Sequence, residues 1–384
     1  MPLKVLLVIV IVAWTSMAQV KQLLEGIHGH QTKGLAFIVL GMVLSGSAVL
    51  QRVAESLQQH GISEAKMPSI ERRLERFVGN SRISVPTIWK LFLAQVLVYF
   101  RDKPLMLVLD CTPIDDRACI VYVGLLAHSR VLPLAWRVMP GQEHWEERQW
   151  DLVAAMLDEI GEQVGAAECT LIADRGLSGM PLVKLCTQRH WHYLLRIAKE
   201  HTFRRRLPGK KWSRWMACEQ LVRKEGQRWF GRVQLWQDEP LDTYLSAVWE
   251  PGHKEGWLLI SDQSAGPVRV AQYAWRMRVE ATFQDTKSRG WDLEASLITD
   301  RPRLDRLLLA LFLAMWWVSH LAASCIHHGK RERFDRHDRR DKGLFRLGRL
   351  WLLDILRRTK NRAALKWCLP FKKQANGWRF SLRF

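Results

Sequence analysis

Apolar and polar positions follow two patterns along the chain, helical spacing and short strand-like runs. From residue 1 to about residue 103 the apolar positions recur at helical spacing, as in "KGLAFIVLGMVLSGSAVLQRVAESLQQH" and "SIERRLERFVGN". This spacing predicts amphipathic helices, since residues three and four apart share one helical face. We therefore expect residues 1–103 to form an N-terminal helical domain.

After Pro104 the pattern changes to short apolar runs separated by turns. Three strand candidates come first, then a helix near Trp145 to Val164, then two further strands with a helix between them. The five strand candidates are "LMLVLD", "ACIVYVGLLA", "VLPLAWRVM", "CTLIAD" and "YLLRIA". This order is typical of a ribonuclease H-like α/β core, and right-handed crossovers place "LMLVLD" and "CTLIAD" side by side.

The remaining chain contains a strand-rich stretch and a second helical part. Residues 203–262 read as short strands and turns, which we interpret as a β-rich insertion between a first core part, 104–202, and a second, 263–325. Helical spacing returns at about Val268 and continues into Leu307 to Cys325. The apolar run Leu307 to Val318 is shorter than a bilayer requires, so we expect a buried core helix. Residues 326–384 form a basic, helical C-terminal region.

The net charge of the chain indicates which kind of partner it binds. The 384 residues carry a formal net charge of +20, and 48% of them are hydrophobic, which is enough for a substantial core. Such a basic surplus favours a polyanion, and dispersed aromatic residues favour nucleic acid over a membrane surface. "FRRRLPGKKWSRW", Phe203 to Trp215, fits a loop that follows phosphates, but it also fits a solvated charge run. The basic N-terminal helices fit either contact with DNA ends or an ordinary bundle with a solvated side.

The cysteines and the first residues of the chain indicate the cellular compartment of the protein. The seven cysteines form no CxxC pair, which argues against a disulfide framework or a zinc site and for a reducing compartment. The run Leu6 to Trp14 imitates a signal peptide, but it is short. His128, His144 and the pair His327/His328 have no metal-ligand spacing. We expect a cytoplasmic protein without a membrane partner.

Two aspartates follow apolar strand sequences in the predicted core. Asp110 closes "LMLVLD" and Asp174 closes "CTLIAD". A lone buried carboxylate is costly, so packing explains these positions poorly, although either aspartate alone would also fit a turn or a helix cap. Neighbouring strands would bring both side chains to the same edge of the sheet.

A third carboxylate lies in "YAWRMRVEATFQDTKSRGW", Tyr273 to Trp291. In a helix with 100° per residue, Tyr273, Arg276, Glu280 and Lys287 occupy an arc of about 60°. A solvated, salt-bridged helix face would explain this stripe. If the helix packs on the sheet, however, Glu280 joins Asp110 and Asp174. Three carboxylates could then bind two Mg²⁺ ions about 3.5 to 4 Å apart, a site suited to phosphoryl transfer.

The spacing of these residues resembles a known family. Tyr273, Arg276, Glu280 and Lys287 are spaced like the signature of the DDE transposases of bacterial insertion sequences, in the insertion sequence four family. "LVLDCTPI" and "LIADRGLSG" resemble that family's two aspartate strands, and "KSRGWDLEAS" resembles the continuation after its glutamate. The resemblance covers roughly residues 104 to 300.

This resemblance implies a function and a set of roles. It implies cut-and-paste DNA transposition, with Asp110, Asp174 and Glu280 binding Mg²⁺, which Mn²⁺ can replace. Residues 203–262 would be the family's insertion domain, and Trp257 of "WLLISD" would stack on a flipped base, unless it is a core tryptophan.

The remaining expectations concern the DNA and the assembly. Arg276 and Lys287 are expected on phosphates, Tyr273 on the bound strand and Arg175 beside the second aspartate. The partners would be double-stranded DNA, as terminal inverted repeats and target, and a second copy of the chain; the location would be a bacterial cytoplasm, at the nucleoid. Two other classes stay open, a metal-dependent nuclease without strand transfer and a catalytically inert DNA-binding regulator.

Overall fold

The structure is a computed structural model, and it describes most of the chain. The described residues are 29–100, 103–127, 129–141, 148–287, 290–358, 371–374 and 377–380. The signal-like run Leu6 to Trp14, together with His128 and His144, lies outside these residues.

Five strands form the first part of a large sheet. They are β1 (Leu105–Ile114), β2 (Ala118–Ala127), β3 (Arg130–Pro140), β4 (Cys169–Ala173) and β5 (His192–Arg196). Their order is β3-β2-β1-β4-β5, with antiparallel pairing from β3 to β1 and parallel pairing from β1 to β5. The predicted neighbourhood of "LMLVLD" and "CTLIAD" is confirmed, because Leu109 of β1 lies opposite Ala173 of β4. The order is compatible with a ribonuclease H-like fold.

Five more strands extend the same sheet. They are β6 (Thr202–Arg205), β7 (Met216–Ala217), β8 (Arg228–Leu235), β9 (Leu241–Val248) and β10 (Trp257–Ser261). β10 pairs antiparallel with β5, and the sheet continues in the order β10-β9-β8-β6-β7. Residues 203–262 contain strands, as the sequence indicates. These strands are hydrogen-bonded to the core and give one sheet of ten strands.

Helices cover both faces of this sheet. The helices are α1 (Gly29–Ser45), α2 (Leu50–Gln59), α3 (Met67–Gly79), α4 (Val85–Leu97), α5 (Gln149–Val164), α6 (Met180–Gln188), α7 (Pro267–Ala274), α8 (Arg278–Thr286), α9 (Arg301–His327) and α10 (Leu344–Arg358). Successive residues of a strand point to opposite faces. Trp136 of β3 donates to Asp305 of α9 at 2.7 Å, whereas its neighbour Arg137 pairs with Glu159 of α5. α5 and α9 therefore lie on opposite sides.

The long helix α9 forms the centre of the helical part. It runs for 27 residues, and α1, α3, α4 and α10 pack against it. The prediction of a buried core helix at Leu307 to Val318 is confirmed, because every one of these residues is buried. α9 has the length and apolar composition of a membrane-spanning helix, as does the pair α1 and α2 across an 86° bend. The buried apolar window of α9 is what a core helix requires.

The helical stretch after Val268 is broken twice, although its sequence pattern predicts one continuous run. A 3₁₀ turn, Trp275–Met277, separates α7 from α8, and α8 ends at Thr286. The next helix begins only at Arg301, where the Asp300 side chain accepts from the backbone N–H of Arg303 at 2.8 Å. Such a capping aspartate starts a new helix, because it satisfies an N–H that has no partner within the helix. A β-hairpin, β11 (Phe371–Gln374) with β12 (Gly377–Phe380), closes the described chain, so the expectation of a helical region over residues 326–384 holds only in part.

Candidate active site

Asp110 and Asp174 lie next to each other on the sheet. The last parallel pair of β1 and β4 joins Leu109 and Ala173, and each aspartate is the following residue. β1 does not end at Asp110, as the sequence suggests, but continues to Ile114 while paired with β2. Asp174 leaves the sheet and caps a short 3₁₀ turn, where its Oδ1 accepts from the N–H of Arg175 at 2.7 Å.

Arg276 lies among the three carboxylates of the predicted triad. Its Nη2 donates to Asp110 Oδ2 at 2.7 Å and lies 3.4 Å from Asp174 Oδ2. Its Nη1 lies 3.8 Å from Glu280 Oε1, one helical turn further along the chain. The Arg276 side chain is only 8% exposed, whereas that of Glu280 is 51% exposed. Strand β1, the end of β4 and the α7–α8 segment therefore meet around one guanidinium.

The electrostatics of this cluster leave an excess of negative charge. Burial raises the pKa of Asp110, and the charges of Asp174 and Glu280 raise it further, although Arg276 and the N–H of Cys111 act in the opposite direction. Burial also works against a charged Arg276, but Asp110, Tyr273 and Asp174 together raise its pKa. The three carboxylates therefore face two guanidiniums, that of Arg276 and that of Arg196, which lies 3.8 Å from Asp174 Oδ1.

Tyr273 and Trp257 form one wall of the site. The hydroxyl of Tyr273 donates to Asp174 Oδ1 at 3.2 Å, and burial raises the pKa of this phenol. Trp257, the first residue of β10, packs edge-on against Tyr273 with 5.2 Å between the ring centroids. Both rings contact a small apolar cluster that includes Ile172 and Leu259. Trp257 is half-buried, so one part of its ring serves packing and another part is accessible.

Arg175 belongs to a group of ion pairs beside Asp174. The sequence indicates Arg175 but not its neighbours Arg196 and Glu255. Arg175 Nη1 donates to Glu255 Oε1 at 3.1 Å, and Arg196 binds the same oxygen at 2.5 Å. Arg196 Nη1 also lies 3.8 Å from Asp174 Oδ1. Arg196 ends the strand beside Asp174, so the strand-end argument that selects the aspartates could have found it. No sequence signal marks Glu255.

Lys287 is the signature residue that lies apart from the carboxylates. It follows the last residue of α8 with non-helical backbone angles, and its Nζ lies 3.8 Å from Glu294 Oε1. The predicted stripe assumed helical geometry as far as Lys287. The structure therefore gathers Tyr273, Arg276 and Glu280 with both aspartates and places Lys287 directly after α8, the helix that holds Glu280.

The donor set suits a hard divalent cation, although no ready-made metal site is present in the described part of the chain. Among the described residues, no group of three or more His, Cys, Asp and Glu side chains is arranged to hold a metal ion. Carboxylate oxygens are nevertheless the ligands that Mg²⁺ prefers. The carboxylates of Asp110, Asp174 and Glu280 converge on one guanidinium, and burial, followed by the charges of Asp174 and Glu280, raises the pKa of Asp110. The three carboxylates therefore fit a divalent ion once the Arg276 guanidinium has moved out from between them.

The fold and this site define a mixed α/β protein with a carboxylate cluster suited to phosphoryl transfer. The transposase DDE domain matches residues 124–317, about half of the chain, and the protein belongs to this family. The matched part includes Asp174 and Glu280 and begins after Asp110. Members of the family act on nucleic acid by phosphoryl transfer and generally use divalent metal ions. A search among curated proteins finds no match for this chain.

Proposed function

We propose that the protein is a cut-and-paste DNA transposase related to the insertion sequence four family. It would cleave DNA at the ends of its own element and join the exposed 3′-hydroxyls to target DNA. The observation that carries this proposal is the convergence of Asp110, Asp174 and Glu280, three residues distant in the sequence, around the Arg276 guanidinium. Membership of the transposase DDE domain family supports it.

The three carboxylates would bind the divalent ions, Mg²⁺ or in its place Mn²⁺, two ions in one site. When bound, the ions supply activation of the attacking oxygen and stabilisation of the leaving oxygen in an in-line displacement. Asp110 is held by its neighbours and is nearly buried, so it provides a fixed ligand. Glu280 is half exposed on α8, and its rotamers give the site an adjustable third ligand.

Arg276 would have two tasks in sequence. In the free protein it neutralises the carboxylates, which would otherwise repel one another at short range. Divalent ions would take over that neutralisation, and the released guanidinium would then be available for a DNA phosphate, to which arginine binds in a bidentate manner. The shared contacts of Arg276 with all three acids support the first task.

Four further residues are proposed to contact DNA around this site. Arg175, whose side chain is 54% exposed, and Lys287 would bind phosphates. Tyr273 would hold Asp174 in place and reach the bound strand beside it. The accessible part of Trp257 would stack on an unpaired base, an interaction worth about 1–3 kcal/mol per base.

The assembly follows from the reaction. Joining two ends of one element to a target requires both ends to be held together, so we propose a homodimer on DNA. The DNA partners would be terminal inverted repeats and a target duplex, and the location a bacterial cytoplasm, at the nucleoid. The basic helices of residues 1–103 are proposed to bind the ends, and the basic region 326–384 to add nonspecific contacts.

A product assay tests this function. The purified chain is incubated with Mg²⁺ and a supercoiled plasmid that carries the inverted repeats found beside its reading frame. Double-strand release of the segment between the repeats, followed by joined products, is the expected result. Sequencing of the junctions provides the matched internal control, because joining by the protein leaves short target duplications of one fixed length.

Other products of the same assay would point to the other classes. Nicked or linear plasmid without any joined product indicates a nuclease on the same fold. Retention of the plasmid in a gel without cutting, at every divalent-ion concentration, indicates a DNA-binding regulator. Either result contradicts the proposal of strand transfer.

A further inference from the structure

A second basic and aromatic surface lies on the extended part of the sheet. Its core is the hairpin that leaves β6: Arg206 pairs with Trp212, and the backbone N–H of Leu207 donates to the Lys211 carbonyl at 2.7 Å. Gly209 closes the turn in the left-handed region, with φ of 76°, a conformation that glycine adopts without strain. The hairpin is thus a defined structure rather than a loose charge run.

Two tryptophans hold the arginines of this hairpin in place. The Arg206 guanidinium lies 4.1 Å from the centroid of the Trp212 ring, and that of Arg204 lies 4.9 Å from it. Arg204 also lies 4.7 Å from the Trp215 ring and donates to Gln234 Oε1 at 2.8 Å. Stacking on an indole orders a guanidinium while leaving N–H groups at its edge for other acceptors. Both arginines are thereby held in defined positions at the surface.

Arg232 of β8 adds a third guanidinium to this surface. Arg204 lies opposite Gln234, and Arg232 is two residues from Gln234, so its side chain points to the same face of the sheet. Arg232 is exposed, and the acidic side chains on this face include Asp242, 3.5 Å from Gln234, and Glu250, which pairs with Arg228. We name Arg204, Arg206, Trp212, Trp215 and Arg232 the arginine–tryptophan face.

Strand register places the arginine–tryptophan face on the same side of the sheet as the carboxylates. Residues paired across strands point to the same face, and residues two apart along a strand do so too. Cross-strand pairs lead from Arg204 to Gln234 and on to Asp242. Two residues along each strand in turn, the further pairs are Tyr244 with Ser261, Leu259 with Arg196, and Leu194 with Ile172. Ile172 pairs with Val108, which lies two residues before Asp110. Helix α7 lies on this side too, over β9 and β10.

The separation of the two sites matches a length of DNA. Five strand intervals lie between β4 and β6, and at about 4.8 Å each they amount to about 24 Å. Base pairs rise about 3.4 Å each, so this separation corresponds to about seven base pairs. DNA that is bound at the carboxylates must pass α7 and follow the twist of the sheet to reach the arginine–tryptophan face, so at least about seven base pairs separate the two contacts.

We propose that the arginine–tryptophan face binds the phosphodiester backbone of DNA, several base pairs away from the bond that is cleaved. This inference rests on the proposed function, in that DNA is the substrate. The chemistry is that of ordered guanidiniums with phosphate oxygens, and either a duplex or a single strand presents it. A simpler role for basic residues on a sheet edge is protection against aggregation. Edge protection requires charge but no stacking on indoles.

The test is the salt dependence of DNA binding without divalent ions, where no cutting interferes. The triple variant Arg204→Gln, Arg206→Gln and Arg232→Gln is compared with the unchanged protein by fluorescence anisotropy, on a labelled duplex and on a labelled single strand. On the duplex, log K falls with log salt, and each lost phosphate contact makes this fall shallower by about 0.9. The arginine variant should therefore show a slope that is smaller in magnitude by about 2.7. On the single strand the expected loss is about 2.1.

A matched variant controls for net charge. Lys184→Gln, Lys224→Gln and Arg301→Gln together remove three exposed charges that lie outside residues 1–103 and 326–384, and they should change the slope by less than about one. A loss confined to the first variant on either DNA form supports the proposal and shows which form is bound. If the triple variant does not fold, Arg232→Gln alone should lower the duplex slope by about 0.9.

Two results overturn the proposal. Equal slopes for the unchanged protein and the arginine variant show that the face does not touch DNA. Aggregation of the arginine variant with unchanged DNA binding assigns the face to edge protection. Failure of the proposed function is distinct, because it would show as absent cutting in the product assay while the loss of slope persists.

Discussion

At the scale of single residues, Arg276 is the side chain on which the candidate site depends. The sequence places it on the same helical stripe as Glu280, and the expectation derived from that stripe is a contact with a DNA phosphate. In the structure it lies between Asp110, Asp174 and Glu280 and is nearly buried. Helical periodicity tells which residues share a face, but it cannot tell that this face closes over Asp110 of β1, 166 positions earlier.

Removal of the Arg276 guanidinium should destabilise the protein. Arg276→Gln leaves Asp110 buried without its partner, and breaking a buried ion pair in this way costs about 3 kcal/mol of the free energy of unfolding. Urea unfolding measures the loss. Arg175→Gln is the control, because Arg175 and Glu255 form an exposed pair whose removal costs about 0.5 kcal/mol or less.

The loss in Arg276→Gln should also depend on pH. Arg276 lowers the pKa of Asp110, so the variant has an even higher pKa at this carboxyl than the unchanged protein. An acid whose pKa is raised on folding binds protons more readily in the folded state, so its stability cost is complete at pH above the raised pKa. The cost disappears as the pH falls through that value. A deficit that stays constant between neutral and mildly acidic pH would contradict this explanation.

At the scale of elements, the strands were more predictable than the helix boundaries. The runs "LMLVLD" and "CTLIAD" become paired parallel strands, because short apolar segments between turns have few other options in an α/β order. The break between α8 and α9 was missed, since apolar spacing alone does not show where a helix ends. Asp300 followed by Pro302 is a start signal that the sequence does contain.

The contact between α9 and α10 provides a sharp test of this packing. Gly348 of α10 lies so close to α9 that an added Cβ would meet the Val318 carbonyl oxygen at 2.2 Å. Gly348→Ala should therefore force the helices apart and cost about 1–3 kcal/mol of the free energy of unfolding, as overpacking does. Thermal unfolding of the purified variant measures the change.

The same substitution at another helical glycine is the control. At Gly79, the last residue of α3, an added Cβ meets nothing within 4 Å, so Gly79→Ala should be neutral or slightly stabilising. Equal stability of the two variants would show that α9 and α10 are not in contact at Gly348.

At the scale of the whole molecule, the continuity of the sheet was not predictable. The short apolar runs and turns of residues 203–262 indicate strands. Such a pattern does not show which strand pairs with which. Only the pairing of β10 with β5 makes the insertion part of the core sheet. That pairing places the arginine–tryptophan face on the side of Asp110. The proximity of Asp110 and Asp174, by contrast, was predictable, since they follow neighbouring strand sequences. The catalytic roles given to these two residues and to Glu280 stay predictions.

The central claim is that the carboxylates of Asp110, Asp174 and Glu280 bind divalent ions that drive DNA cleavage. The most direct test measures the rate of end cleavage against Mg²⁺ and Mn²⁺ concentration for the unchanged protein and for Asp110→Asn, Asp174→Asn and Glu280→Gln, with DNA binding measured in parallel. The claim predicts that cleavage requires the ions, and that each variant retains DNA but loses cleavage at every ion concentration. Cleavage by any of the three variants at the unchanged rate, or without divalent ions, would contradict it.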